Sequence, residues 1–256
     1  MRFRRLAAVL AAAALGGCSE AESERFTVDS RHVGQQLEQT LIVPKSGGEG
    51  RPLLVLLQGR GDSDRSLVFD ELLDGLDDLG DRAPVVLLAN GGDHSYYHDR
   101  DDGRWGTYIL QEAIPAALDR SGADAERVAI GGVSMGGFGA FDLANIRGFC
   151  AVGAHSGSFW FSAGETPEGA FDDAADFSRH DVLARAAARL YVDMPAWIDV
   201  GTDDPFRAAG TELARRLRAA RGRVEFHLWP GDHSSAYWKR HMSDYLAFYA
   251  RELDRC

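Results

Sequence analysis

Short unbroken apolar runs alternate along the chain with longer stretches of helical periodicity. The runs are Leu53–Leu57, Val85–Ala89, Val128–Ile130, Cys150–Ala154, Ala196–Val200 and Val224–Leu228. Short apolar runs of this kind suit strands covered on both faces. Leu37–Val43 predicts an earlier strand, closed by Pro44 and the turn Ser46-Gly47-Gly48. Helical spacing occupies about 66–79, 105–120, 136–146, 180–190 and 207–221, and a last helix over 235–253 closes the chain. Strands alternating with helices predict an α/β architecture: a mostly parallel central sheet with helices on both faces. No internal repeat and no Pro/Ser-rich linker divides it, so residues 35–256 read as one domain. Residues 157–180 stand apart. They are long and weakly periodic, which fits a lid or binding loop as well as an ordinary surface excursion.

The first residues have a different logic. Arg2, Arg4 and Arg5 precede ten apolar residues, Leu6–Leu15. A bilayer span needs about 20 residues, so this layout predicts a secretory signal instead. Leu15-Gly16-Gly17-Cys18 resembles the bacterial lipobox, in which the signal is cut before a cysteine that is then acylated. The expectation is a lipoprotein signal over 1–17, a lipid anchor at Cys18, and a tether and N-terminal segment over 18–34. Such a protein is exported to the bacterial cell envelope and attached to the membrane rather than spanning it.

Charge narrows the partners. The formal net charge is -11, and loss of the three arginines in residues 1–17 makes it -14. A phosphate backbone is bound mainly through Lys and Arg, so nucleic acid is excluded as a partner. Three cysteines are too few for a disulfide scaffold or a four-cysteine zinc site. With Cys18 taken by lipid, Cys150 and Cys256 remain in an oxidising compartment. They either pair, or Cys150 is simply core; its apolar run favours core.

Candidate chemistry sits on three turns, each after a predicted strand. Gly132-Val133-Ser134-Met135-Gly136 has the pattern of a nucleophile elbow, a sharp strand-to-helix turn that exposes a serine oxygen. No phosphate-binding glycine pattern overlaps it. Gly201-Thr202-Asp203-Asp204-Pro205-Phe206 offers a carboxylate past the end of a strand, where α/β sheets place functional groups. Trp229-Pro230-Gly231-Asp232-His233-Ser234 offers an imidazole. The order Ser134, then Asp203 or Asp204, then His233 is that of α/β-hydrolases.

With these motifs the chain resembles the esterase D-like branch of the α/β-hydrolases, which includes S-formylglutathione hydrolases, feruloyl and acetyl-xylan esterases and mycolyltransferases. The resemblance runs from about residue 35 to the end. It is carried by Gln58-Gly59-Arg60-Gly61, Asn90-Gly91-Gly92 with Ser95-Tyr96-Tyr97, Trp105-Gly106-Thr107-Tyr108 leading to Ile114-Pro115, and the three turns. It implies Asp204 as the acid, with Asp203 the alternative, and an oxyanion hole formed by the backbone amides of Arg60 and Met135. Gln58 departs from the family's usual His or Asp, which leaves a hole made of backbone amides usable.

Gly59, Tyr97, Trp105, Ser156 and Trp160 lie next to predicted active-site loops and are the expected substrate contacts. Tyr96, Phe159 and Ser158 share that setting, although aromatics so spaced also form core. His94 and His98 stand near Asp99, Asp101 and Asp102, yet such clusters more often mark turns, so no metal and no cofactor is expected. The implied activity is serine esterase action through an acyl-enzyme on a small acyl or carbohydrate ester. The alternatives are an acyltransferase, a serine peptidase, or a non-catalytic surface-anchored binding protein.

Overall fold

The computed structural model describes residues 22–256; the expected signal and Cys18 lie outside the described residues. Among the described residues ten strands are formed. They are β1 (Glu22–Ser30), β2 (Gln35–Val43), β3 (Leu53–Leu57), β4 (Val85–Ala89), β5 (Asp99–Arg100), β6 (Gly103–Arg104), β7 (Val128–Val133), β8 (Val152–His155), β9 (Ala196–Gly201) and β10 (Val224–Trp229). Eight of them make one sheet in the order β1-β2-β4-β3-β7-β8-β9-β10. From β4 to β10 every neighbour is parallel, while β1 and β2 run antiparallel at one edge. Strands β5 and β6 form a separate small hairpin.

The apolar runs are explained by two cores. Leu53, Val55 and Leu57 enter one, and Leu54 and Leu56 enter the other. Alternate residues of a strand face opposite ways, so a strand with helices on both sides must be apolar throughout. On one face lie α3 (Ile114–Ser121), α4 (Met135–Ala144), α6 (Val182–Ala187) and α7 (Arg207–Ala219). On the other lie α1 (Asp70–Leu79) and α8 (Ser235–Leu253). The helix expected over 105–120 is broken by a π-turn, Ile109–Ala113, between α2 (Trp105–Tyr108) and α3. Pro115, one residue into α3, has no amide proton for the usual bond to the carbonyl four residues earlier, and a π-turn absorbs such a mismatch.

Two expectations are corrected. Residues 22–30 fall in the expected tether and N-terminal segment, but they form β1, paired residue by residue with β2. Phe26, Val28 and Ser30 are buried while their neighbours are exposed. An edge strand with one wet face alternates in this way, and its polar half masks it. Secondly, Cys150 and Cys256 are joined in a disulfide, with Cα atoms 5.6 Å apart. Residues 157–180 contain a further helix, α5 (Ala174–Arg179). This segment sinks Phe159, Trp160 and Phe177 into the core. Two buried hydrogen bonds secure its far end: His98 Nε2 to Asp176 Oδ2 at 3.0 Å, and His180 Nδ1 to Asp142 Oδ1 at 2.8 Å. Burial and the neighbouring His180 hold the His98 pKa below its ordinary value.

One polar network crosses the α8 face of the sheet. Asp199 on β9 is fully buried. Its Oδ1 receives Trp197 Nε1–H and meets His155 Nδ1, both at 2.8 Å, and its Oδ2 receives the Tyr245 hydroxyl at 2.8 Å. His155 Nε2 in turn lies 3.0 Å from the Tyr249 hydroxyl. That hydroxyl sits over Gly131 and Gly153 on adjacent strands, in the space a side chain there would occupy.

The disulfide pins the C-terminus after α8 to the segment entering β8, across 106 residues. Cys256→Ser is expected to cost about 2–4 kcal/mol, a melting temperature lower by about 10 °C. Thermal unfolding with and without reductant checks this: reductant lowers the wild-type midpoint and leaves that of the variant in place.

Candidate active site

The C-terminal ends of β7, β9 and β10 bring the three turns together. Ser134 follows β7 at φ 52° and caps α4. That left-handed conformation is strained for a residue with a Cβ, and its neighbours hold it. The Ser134 amide donates to the His155 carbonyl at 3.1 Å, and the Ser134 carbonyl accepts from the amides of Gly137 and Ser158, both at 3.0 Å. The flanking glycines are required sterically. A Cβ on Gly132 would meet the Gly136 backbone at 2.5 Å, and one on Gly136 would overlap the Leu57 carbonyl.

Asp204 and His233 complete a line of hydrogen bonds. His233 Nε2 is 2.9 Å from Ser134 Oγ, and His233 Nδ1 is 2.8 Å from Asp204 Oδ2. The Asp204 side chain is buried, and its other oxygen accepts from the Phe206 amide at 2.7 Å. Asp203 is exposed instead. Its amide donates to the Gly231 carbonyl at 2.9 Å, tying the acid turn to the histidine turn. Between the two aspartates the geometry therefore pairs His233 with Asp204. The imidazole is flanked by Phe206 and Trp238, with ring centroids at 5.1 and 5.4 Å.

Loop 58–62 passes beside Ser134. A Cβ on Gly59 would lie 3.7 Å from Ser134 Cβ. Tyr97 shapes this loop from below: its hydroxyl accepts from the Gln58 amide at 2.9 Å. The Gln58 side chain donates to the carbonyls of Asp62 and Gly92 at 2.9 and 3.2 Å. Among the described residues, the amides of Arg60 and Met135 donate to no turn, loop or cap carbonyl. Both are thereby left for an acceptor outside the chain.

A cavity of about 540 Å³ opens onto Ser134, lined by Arg60, Tyr96, Ser158, Trp160, Phe161 and Phe206 among others. Of the expected contacts, Trp160 lines this cavity. Three of the others do not. Tyr97 is fully buried under loop 58–62; the cavity is lined by its neighbour Tyr96. Both tyrosines have positive φ, 50° and 59°, and this kink turns Tyr96 toward the cavity. Trp105 lies against a separate hollow near Asp93 and Asp102. Ser156 is fully buried with an unpartnered hydroxyl, while Ser158 faces the cavity, its Oγ 3.0 Å from Ser134 Oγ. Burial raises the Tyr96 pKa and the nearby Arg60 guanidinium partly offsets it. His98 is held by Asp176 and His94 is half exposed, so the two histidines do not form a common site.

A family model described as putative esterase matches residues 30–249. Two curated esterases of Mycobacterium tuberculosis, Esterase Rv1288 and Esterase MT1326, are each 28% identical over 123 residues, which is 44% of this chain. The match covers 26% of those proteins, so the chain spans about a quarter of the length of these curated relatives. Among solved structures, a ferulic acid esterase aligns with a TM-score of 0.78 at 22% identity, covering 91% of this chain and 99% of that one. An S-formylglutathione hydrolase from Agrobacterium tumefaciens aligns at 0.76 and 19% identity, covering 91% and 96%. MPT51 of Mycobacterium tuberculosis aligns at 0.73 and 18%, covering 91% and 99%. These likenesses show the fold, that of the α/β-hydrolases.

The steric reading of the elbow has a direct check. Gly136→Ala forces a methyl against the Leu57 carbonyl and is expected to cost about 1–3 kcal/mol. Gly148→Ala, where a Cβ meets nothing within 4 Å, is expected to stay within about 0.5 kcal/mol of wild type. Urea unfolding midpoints compare the two.

Proposed function

The chain belongs to the putative esterase family, and from that premise we propose that it is a serine carboxylic-ester hydrolase acting through Ser134, His233 and Asp204. One observation carries the reading: the continuous line from Ser134 Oγ through the imidazole to a buried carboxylate, at 2.9 and 2.8 Å, beside an open cavity. A surface serine has no such partners. Asp204 accepts the Nδ1 proton of His233 and so fixes the tautomer that leaves Nε2 free as a base. His233 takes the Ser134 proton as Oγ attacks the ester carbonyl, and the carbonyl oxygen becomes an oxyanion. The Met135 amide, in the first turn of α4, and the Arg60 amide receive that charge. Each such donor is worth about 100- to 1,000-fold in rate. His233 then returns the proton to the leaving alcohol, and water resolves the acyl-enzyme by the same steps in reverse order.

The cavity wall supports the substrate reading. Trp160, Phe161 and Phe206 offer apolar and aromatic surface next to Ser134, which suits the acyl part of a small or carbohydrate ester. We also propose that the protein is exported and anchored by lipid at Cys18. This is supported by the basic start, the short apolar run and Leu15-Gly16-Gly17-Cys18. Among the described residues no helix is long and apolar enough to cross a membrane.

Three experiments test these readings. Ser134→Ala is expected to abolish both fluorophosphonate labelling and p-nitrophenyl acetate hydrolysis. Asp204→Asn is expected to lower kcat by about 10⁴, whereas Asp203→Asn keeps most activity; the opposite ranking overturns the acid assignment. For the anchor, cells fed labelled palmitate should yield labelled wild-type protein and unlabelled Cys18→Ala. Equal labelling of the two refutes anchoring at that cysteine.

A further inference from the structure

The Ser134 hydroxyl has a second close partner besides His233. Ser158 Oγ lies 3.0 Å from Ser134 Oγ, and Ser158 is buried where it lines the cavity. The loop that carries it is built for that contact. Ser156, directly after β8, is at φ 52° like Ser134 itself. Gly157 follows, and a Cβ there would meet the Phe159 ring at 2.5 Å. The Ser158 amide donates to the Ser134 carbonyl at 3.0 Å, so Ser158 is fixed by both backbone and side chain.

Proton counting gives this contact a direction. Ser134 has one hydroxyl proton, and in the resting site it points to His233 Nε2, whose Nδ1 proton is engaged by Asp204. Between the two serines the donor is therefore Ser158. Its hydrogen bond is already present in free enzyme, before acylation. It stabilises the starting state of acylation about as much as the transition state and does little for that step. In the acyl-enzyme, Ser134 Oγ is the alkoxy oxygen of an ester, a poor acceptor. Deacylation reverses this. Water gives a proton to His233 and its oxygen bonds to the acyl carbon. The bond from that carbon to Ser134 Oγ then breaks, its electron pair stays on Oγ, and Oγ takes the proton back from His233. As negative charge gathers on Oγ, a hydrogen bond to it strengthens.

We propose that Ser158 is a catalytic residue of the second half of the reaction: its hydroxyl stabilises Ser134 Oγ as the leaving group when the acyl-enzyme is resolved. The proposal rests on the assignment of Ser134 as nucleophile.

The test separates the two half-reactions with p-nitrophenyl acetate. Ser158→Ala is expected to keep kcat/KM, which reports acylation, within about twofold. Its kcat should fall about tenfold, the scale of a lost hydrogen bond to a developing charge, with KM falling in parallel. A burst of p-nitrophenol and an accumulated acetyl-enzyme in the intact mass should accompany this. Ser158→Cys keeps the shape and weakens the donor, and should give the same split in smaller measure even if the alanine variant folds poorly. An unchanged kcat, or kcat and kcat/KM falling together, overturns the proposal. Fluorophosphonate labelling of wild type keeps the two readings apart: without it the nucleophile assignment itself fails, whereas labelling with no kinetic split removes only the role of Ser158.

Discussion

The buried carboxylate of Asp199 is the constraint on which the three turns of the candidate site depend. A fully buried charge is costly unless it is saturated with donors, and Asp199 takes Trp197, His155 and Tyr245 from three different elements. Those elements deliver the site. His155 ends β8, and its carbonyl receives the Ser134 amide. Asp199 stands five residues before Asp204 on the strand that feeds the acid turn. Tyr245 and Tyr249 belong to α8, which begins just after His233. A shift of any one element would leave the carboxylate short of a partner. The network therefore fixes the relative positions of groups that must stay within a few tenths of an ångström.

The central strands were legible because burial on both faces leaves no room for polar residues. Leu53–Leu57 and Val85–Ala89 have the predicted bounds. The strand read as Val128–Ile130 in fact continues to Val133, because Gly131 and Gly132 carry no apolar signal. Their lack of side chains is a tertiary requirement: Tyr249 occupies the space above one, and the elbow backbone crowds the other. Strand β1 escaped notice for the opposite reason, since an edge strand buries only alternate residues. The disulfide was illegible because 106 residues of separation say nothing about proximity. The family resemblance, by contrast, is borne out by the match over residues 30–249, since its motifs are local.

The candidate site divides along the same line. Ser134, Asp204 and His233 are brought together by the fold, and each lies on a short turn whose sequence is tied to its shape. The wall of the cavity was harder. Tyr96 and Tyr97 differ by one position, and two successive positive φ values decide which ring faces the cavity. Ser156 and Ser158 pose the same problem, settled by another positive φ at Ser156. A residue alphabet that treats tyrosine or serine as equivalent at either place carries no information about such a kink. The visible clue was glycine: Gly91 and Gly139 both press on the Tyr97 ring, and such glycines mark where a large side chain is buried.

Strain at the two serine turns is mutual rather than separate. Ser134 and Ser156 both adopt φ 52°, at the ends of adjacent parallel strands, and the segments they begin are bonded to each other. Such conformations cost about 1–3 kcal/mol each and persist only where the surroundings over-determine them. Here each turn supplies the restraint for the other: the β8 end accepts from the Ser134 amide, and the Ser158 amide returns a bond to the Ser134 carbonyl. The Asp199 network holds the β8 end from the opposite face. Hence Ser134 does not have to be organised when substrate arrives; its backbone and its Oγ are already fixed by hydrogen bonds within the chain. Stored strain of this kind favours a site whose donors meet charge as it develops, without the reorganisation that water would require.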